Sequence, residues 1–116
     1  MRDINQKNLV YELLKKIPKG RVVTYGDIAK VLGIKSARVI GYYMKTNPTP
    51  VIVPCHRVVM GDGSIGGFSL GIEKKIKLLN EEGISVVNNK IVNFENIKMT
   101  IDELKEILRE IKRYRK

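Results

Sequence analysis

Apolar residues recur at helical spacing near the start of the chain, where Leu9, Val10, Leu13, Leu14 and Ile17 share a face before Pro18-Lys19-Gly20 breaks the pattern. This predicts a first amphipathic helix. The β-branched run Arg21-Val22-Val23 follows, and Thr24 with Asp27 resembles a helix-capping pair ahead of Ile28, Ala29, Val31 and Leu32. Gly33 should end that second helix. Ser36 can cap a third over Ala37–Lys45, which stops before Asn47-Pro48 because a residue preceding proline avoids the α region. Two short helices joined by a glycine-containing turn make a helix-turn-helix candidate. Gly61, Gly63, Gly66, Gly67 and Gly71 then punctuate a stretch expected to be a loop or irregular hairpin. Residues 73–82 read as a helix with Ile76, Leu78 and Leu79 inward, closed by Gly83, and residues 84–92 as a small hairpin around Asn88-Asn89. Thr100 and Glu103 form a capping box ahead of Leu104, Ile107, Leu108 and Ile111, with basic residues on the other face. The expected class is mainly α with a small β component, a winged-helix-like helix-turn-helix domain.

Length and charge narrow the function classes. A chain of 116 residues, 43% hydrophobic, suits one compact domain over residues 1–116, likewise expected to be a monomer. Its net charge of +10 attracts polyanions, nucleic acid first and an acidic membrane surface second. No apolar run is long enough to span a bilayer and residues 1–7 lack a secretory core, so a cytoplasmic protein with no membrane partner is expected. A lone cysteine and a lone histidine cannot complete a structural zinc site, and the glycine spacing matches neither phosphate-cradling fingerprint. Neither metal nor cofactor is expected.

Candidate chemistry centres on Pro54-Cys55-His56-Arg57-Val58-Val59, where the chain's cysteine adjoins its histidine after the apolar run Val51-Ile52-Val53. A lone cysteine is most often a small buried hydrophobe. Here the basic neighbours His56 and Arg57 suggest an electropositive setting that favours a reactive thiolate. Consecutive side chains on extended backbone point apart, so a direct Cys55-His56 bond is not expected. Pro54 should place Cys55 at a turn, where a water could link thiol and imidazole.

Several motifs in order give the chain a close resemblance to a family, the O6-alkylguanine-DNA alkyltransferases, in their C-terminal catalytic and DNA-binding domain. They are Ile17-Pro18-Lys19-Gly20, Thr24-Tyr25-Gly26, Ala37-Arg38, Asn47-Pro48, Pro54-Cys55-His56-Arg57-Val58, Gly66-Gly67-Phe68 and Glu82-Gly83. The likeness runs over roughly residues 9–83; residues 84–116 carry no specific match, and nothing resembles the family's N-terminal domain.

The resemblance implies a fold, a substrate and a set of roles. Cys55 would take an alkyl group irreversibly from O6-alkylguanine, with O4-alkylthymine a further candidate, in double-stranded DNA. His56 would act as base through water, oriented by Glu82, while Tyr25 would give a proton to the departing guanine. The lesion would be flipped out of the duplex, with Arg38 filling the gap. Ser36, Ala37 and Gly41 would permit close minor-groove approach, and Lys45 would contact DNA from the same helix. Asn47 would tie the helix-turn-helix to the active segment, with Pro54, Arg57, Phe68 and Ser69 shaping the pocket. Read without the family, Tyr25 is an ordinary core aromatic, Glu82 a surface carboxylate, Arg38 a phosphate contact and Asn47 a turn former.

Three positions depart from the family pattern. Tyr42 puts a ring where a small residue is common, Phe68 lacks a frequent hydroxyl, and Leu70 stands where glycine often lies and is expected to narrow the pocket against benzyl-type adducts. The competing functions are a lesion binder of the alkyltransferase-like type, which lacks the reactive cysteine, and a plain helix-turn-helix regulator.

Overall fold

The computed structural model describes residues 2–114, with side chains described from Gln6 onward. Helix α1 (Arg2–Lys15) begins well before the apolar stripe at Leu9, continuing through polar sequence. It is followed by strand β1 (Val23–Thr24), helix α2 (Tyr25–Leu32) and helix α3 (Ala37–Lys45). A 3-10 turn (Cys55–Arg57) leads into strand β2 (Val58–Val59). Helix α4 (Ile72–Glu81), the hairpin of β3 (Val86–Val87) and β4 (Lys90–Ile91), the short α5 (Phe94–Ile97) and α6 (Ile101–Arg113) complete the order.

Local signals place the helix ends. Thr24 accepts a hydrogen bond from the Asp27 amide, and Gly33 closes α2 in the left-handed region at φ 71°. Ser36 caps α3 through the Arg38 amide, and Thr100 with Glu103 forms a complete capping box on α6. Asn88 and Asn89, both at positive φ, turn the β3–β4 hairpin. α2 and α3 pack on one another as the expected helix-turn-helix, so the architecture is mainly α with a small β component.

Local structure departs from the bare sequence pattern at three places. The apolar run before Cys55 is not a strand: Val53 is buried, but Val51 and Ile52 are exposed in a turn closed by the Val53 amide on Thr49. Val51 sits at φ 80°, a conformation that β-branched residues avoid. The β-branched run Arg21-Val22-Val23 is divided: Val23 opens β1, while Val22 exchanges backbone hydrogen bonds with Ile97 and Met99. On α4, Leu79 turns inward as expected and Leu78 only partly, while the fully buried neighbour on that face is Lys75.

Strands β1 and β2 pair in parallel, Val23 opposite Val58 and Thr24 opposite Val59. That pairing fixes the start of α2 against the cysteine turn. Around it, α1, α2, α3 and α6 share a core that includes Val10, Leu13, Leu14, Ile28, Ile40 and Leu104. A second cluster of Val22, Val59, Ile65, Leu79, Ile84 and Ile91 joins α4 to the hairpin.

The segment beyond residue 84 is therefore part of the core. Arg21 fixes its entry, donating to the carbonyls of Ile97 and Lys98 and to both oxygens of Glu103. Leu104 is fully buried beneath α6. Replacing it, Leu104→Ala, is expected to cost about 2–5 kcal/mol, read as a lower urea midpoint at unchanged slope.

Candidate active site

Cys55 opens the 3-10 turn capped by Pro54, so its side chain leaves the backbone at a bend rather than along a strand. It lies 3% exposed in the wall of a cavity of about 400 Å³. That volume falls within the range of about 300–1,000 Å³ usual for small-molecule sites. Tyr25, at the start of α2, Gly41, Met44 and Lys45 of α3, and Gly67, Phe68 and Ser69 of the glycine-rich loop line the rest. Tyr25 also borders an adjoining groove with Ala37, Arg38, Gly41 and Met60, so the cavity continues toward the exposed crest of α3.

The glycines serve this shape. Gly66 sits at φ 70°, and a Cβ there would lie 3.4 Å from the Tyr25 hydroxyl. A side chain at that position would be strained and would crowd the phenol.

Asn47 ties α3 to the cysteine turn. Its side-chain amide donates to the Val53 carbonyl at 3.0 Å and to Cys55 Sγ at 3.4 Å, while its oxygen accepts from the Thr49 amide. Burial pushes the Cys55 thiol above its ordinary value, and neither the Asn47 hydrogen bond nor the Lys75 charge brings it back. Cys55 therefore rests as a thiol at neutral pH. The electropositive setting read from its basic neighbours is not formed around the sulfur, because both neighbours are turned to another partner.

That partner is Glu82, the residue capping the end of α4. Its carboxylate meets His56 Nε2 at 2.8 Å and accepts from Arg57 Nε and Nη2 at 2.9 and 2.8 Å. Arg57 Nη1 also donates to the Ile17 carbonyl at 2.7 Å, and the Glu82 carbonyl lies 3.7 Å from where a Gly20 Cβ would stand. Thus the Ile17-Pro18-Lys19-Gly20 and Glu82-Gly83 motifs, far apart in sequence, close on Arg57. Burial works to raise the Glu82 value, but its hydrogen bonds with Arg57 and His56 hold it below the ordinary carboxylate range.

With Glu82 ionised, neutral His56 carries its proton on Nε2, which donates to the carboxylate. This leaves Nδ1 as an acceptor; it is buried and has no hydrogen-bond partner among the described residues. Burial lowers the His56 value further than Glu82 raises it, so the imidazole is neutral at pH 7. No Cys55–His56 hydrogen bond forms. The Phe68 ring stands edge-on to the imidazole at 6.3 Å between centroids.

Lys75 escaped the sequence reading. It is fully buried, and its ammonium donates to the carbonyls of Val58, Ile65 and Gly67, matching three donors to three acceptors. Desolvation pulls its value down to about 8, so it stays mostly charged at pH 7. It staples the glycine-rich loop to β2 behind the cysteine. The one sequence signal was its place a helical turn before Leu79, on the inward stripe of α4.

Other predicted site residues lie outside the cavity. Arg57 faces Glu82, Pro54 is buried in the turn, and Ser36, Ala37 and Arg38 sit at the start of α3. Leu70 does not line the cavity; it is half-exposed beside Gly71 and Ile72, so the narrowing expected from it has no structural basis. Among the described residues, no group of three or more His, Cys, Asp or Glu is placed to hold a metal ion, and no helix is long and apolar enough to cross a membrane.

A family model described as the 6-O-methylguanine DNA methyltransferase, DNA binding domain, matches residues 5–84. The chain belongs to this family. Within it, the chain is 55% identical over 76 residues to the methylated-DNA–protein-cysteine methyltransferase of Thermococcus kodakarensis, covering 65% of this chain and 42% of that protein. It is 46% identical over 92 residues to a bifunctional methyltransferase/endonuclease of Picrophilus torridus, covering 78% of this chain and 31% of the relative. A crystal structure of S. pombe Atl1, in complex with damaged DNA containing O6-carboxymethylguanine, superposes with a TM-score of 0.73 at 32% identity, covering 86% of this chain and 99% of that one. The matches span about a third to about half the length of the curated methyltransferase relatives.

Removal of the buried ammonium, Lys75→Met, is expected to cost about 2–4 kcal/mol by stranding three buried carbonyls, measured by urea unfolding.

Proposed function

We propose that this protein repairs DNA by direct reversal, moving an alkyl group from O6 of a flipped-out guanine to Cys55 in a single, irreversible turnover. The observation that carries the reading is a buried cysteine in the wall of a base-sized cavity, next to a neutral histidine whose Nε2 is held by Glu82 and whose Nδ1 is left as a free acceptor. In this reading each residue has a task. Sulfur attacks the alkyl carbon, forming an S–C bond as the C–O bond breaks and its electron pair departs with guanine. The thiol proton passes through a water to His56 Nδ1, and Glu82 stabilises the imidazolium that results. Tyr25 donates a proton to the guanine ring. Its own value is raised by burial, so the phenol is protonated at neutral pH and available as donor.

DNA is the partner. Arg38 takes the space of the extruded base, while Ala37 and Gly41 keep α3 slim where it enters the minor groove. Ser36, as the cap of α3, holds that entry in place. Lys45 and Ser69 meet the base or its backbone at the cavity mouth, and Phe68 with Pro54 forms apolar wall. Arg57 and Asn47 act as positioning residues, through Glu82 and the cysteine turn. The protein is proposed to work in the cytoplasm as a monomer whose residues 1–116 form one domain. The similarity to Atl1 favours a second reading, lesion binding without transfer. That reading gives no task to Cys55 or to the His56–Glu82 pair.

Incubation with an O6-methylguanine duplex is expected to add one methyl group to the protein by mass spectrometry, on the Cys55 peptide, and Cys55→Ala to add none. An unmodified wild-type protein that still binds the lesion would establish the second reading.

The pH profile tests the proton route. Because His56 titrates below its ordinary 6.5, the transfer rate should hold down to that pH and fall tenfold per unit beneath the lowered value. A preformed thiolate would instead make the rate climb tenfold per unit up to and beyond 9.0, since the thiol value is raised. Single-turnover rates between pH 5 and 9 separate the two.

A further inference from the structure

The exposed crest of α3 separates two grooves. On a helical wheel Arg38, Lys45 and Tyr42 point outward together, with Ala37 and Gly41 on one flank and Val39 and Tyr43 on the other. The first flank opens on Met60 and Tyr25 and leads to the Cys55 cavity. The second opens on a groove of about 730 Å³ between α3 and α1, lined by Gln6, Lys7, Arg38, Val39, Tyr42 and Tyr43.

We propose that this second groove seats the sugar-phosphate backbone of the undamaged strand. The inference rests on the alkyl-transfer reading. If an extruded base reaches Cys55, the strand carrying it must run along the cavity flank of α3. A helix lying in a minor groove has one backbone on each side, so the complementary strand then falls on the α1 side. The chemistry there fits a polyanion. Lys7 is cationic, the groove lining includes no carboxylate among the described residues, and the chain carries a net charge of +10.

The groove is also built rather than incidental. Gln6 donates to the Tyr43 hydroxyl at 2.7 Å, Tyr11 donates to the Tyr43 carbonyl at 2.7 Å, and Lys7 donates to Thr46 Oγ1 at 3.0 Å. These bonds fix α1 against α3 and leave Lys7 with further N–H donors for phosphate oxygens. Tyr42, 61% exposed, stands at the rim as a flat surface against the deoxyribose. Tyr42, a ring where the family commonly has a small residue, is a strand contact in this arrangement.

The test places a photoreactive p-benzoylphenylalanine at position 42, or separately at position 60, and uses a methylated duplex whose two strands carry different dyes. Crosslinking from position 42 is expected on the undamaged strand and from position 60 on the damaged one. A position-42 crosslink to the damaged strand, or to neither, overturns the proposal. Methyl gain at Cys55 of the unsubstituted protein is followed separately, so a failure of alkyl transfer is distinguishable from a failure of strand placement. As a second measurement, Lys7→Gln should make the slope of log affinity against log salt shallower by about 0.9 on duplex, and Lys7→Arg should restore it. An unchanged slope removes Lys7 as a phosphate contact and with it the charge argument.

Discussion

The carboxylate of Glu82 is the point on which the site depends. A buried arginine beside a buried histidine is costly unless both find partners, and one acidic side chain satisfies them together. By accepting from Arg57 it neutralises a buried charge, and by accepting from His56 Nε2 it sets the tautomer. The proton route proposed for the thiol follows from that tautomer, because it leaves the free nitrogen facing away from Glu82. The same contact closes the fold, since Arg57 also reaches the carbonyl of Ile17 at the end of the first helical segment.

Behind the cysteine a second buried cation works differently. Lys75 has no carboxylate and is satisfied by main-chain oxygens alone, two of them in the glycine-rich segment. Glycines give that segment the conformations it needs around Tyr25, yet they also deprive it of side chains with which to pack. The lysine supplies the missing tether from the neighbouring helix. A flexible sequence is thereby held in one shape beside the reacting sulfur.

Helix ends were legible in the sequence because they follow from chemistry within four residues: Thr24 on Asp27, Ser36 on Arg38, Thr100 on Glu103, and left-handed Gly33. The Cys55, His56, Glu82, Tyr25 and Asn47 constellation was legible by family resemblance, and the structure brings these residues to one region. What could not be read was long-range. The inward turn of Lys75 depends on carbonyls up to 17 positions away, and charged residues on a helix are ordinarily solvated. The surroundings of Cys55 differ from the sequence pattern for a related reason: neighbours in sequence are not neighbours in space, since both basic groups bond across the fold to Glu82. The short α5 carries no capping bond and gave no local signal.

The parallel pairing of β1 with β2 has a consequence for how this site can vary. Tyr25 follows Thr24 directly, and Cys55 stands three residues before Val58, so one short ladder of two residue pairs sets the separation of phenol and sulfur. The turn over residues 49–53, with its exposed Val51 and Ile52, lies outside that measured path and is anchored at its ends by Asn47. Changing those two exposed side chains leaves the spacing of the two reacting groups to the strand pairing alone.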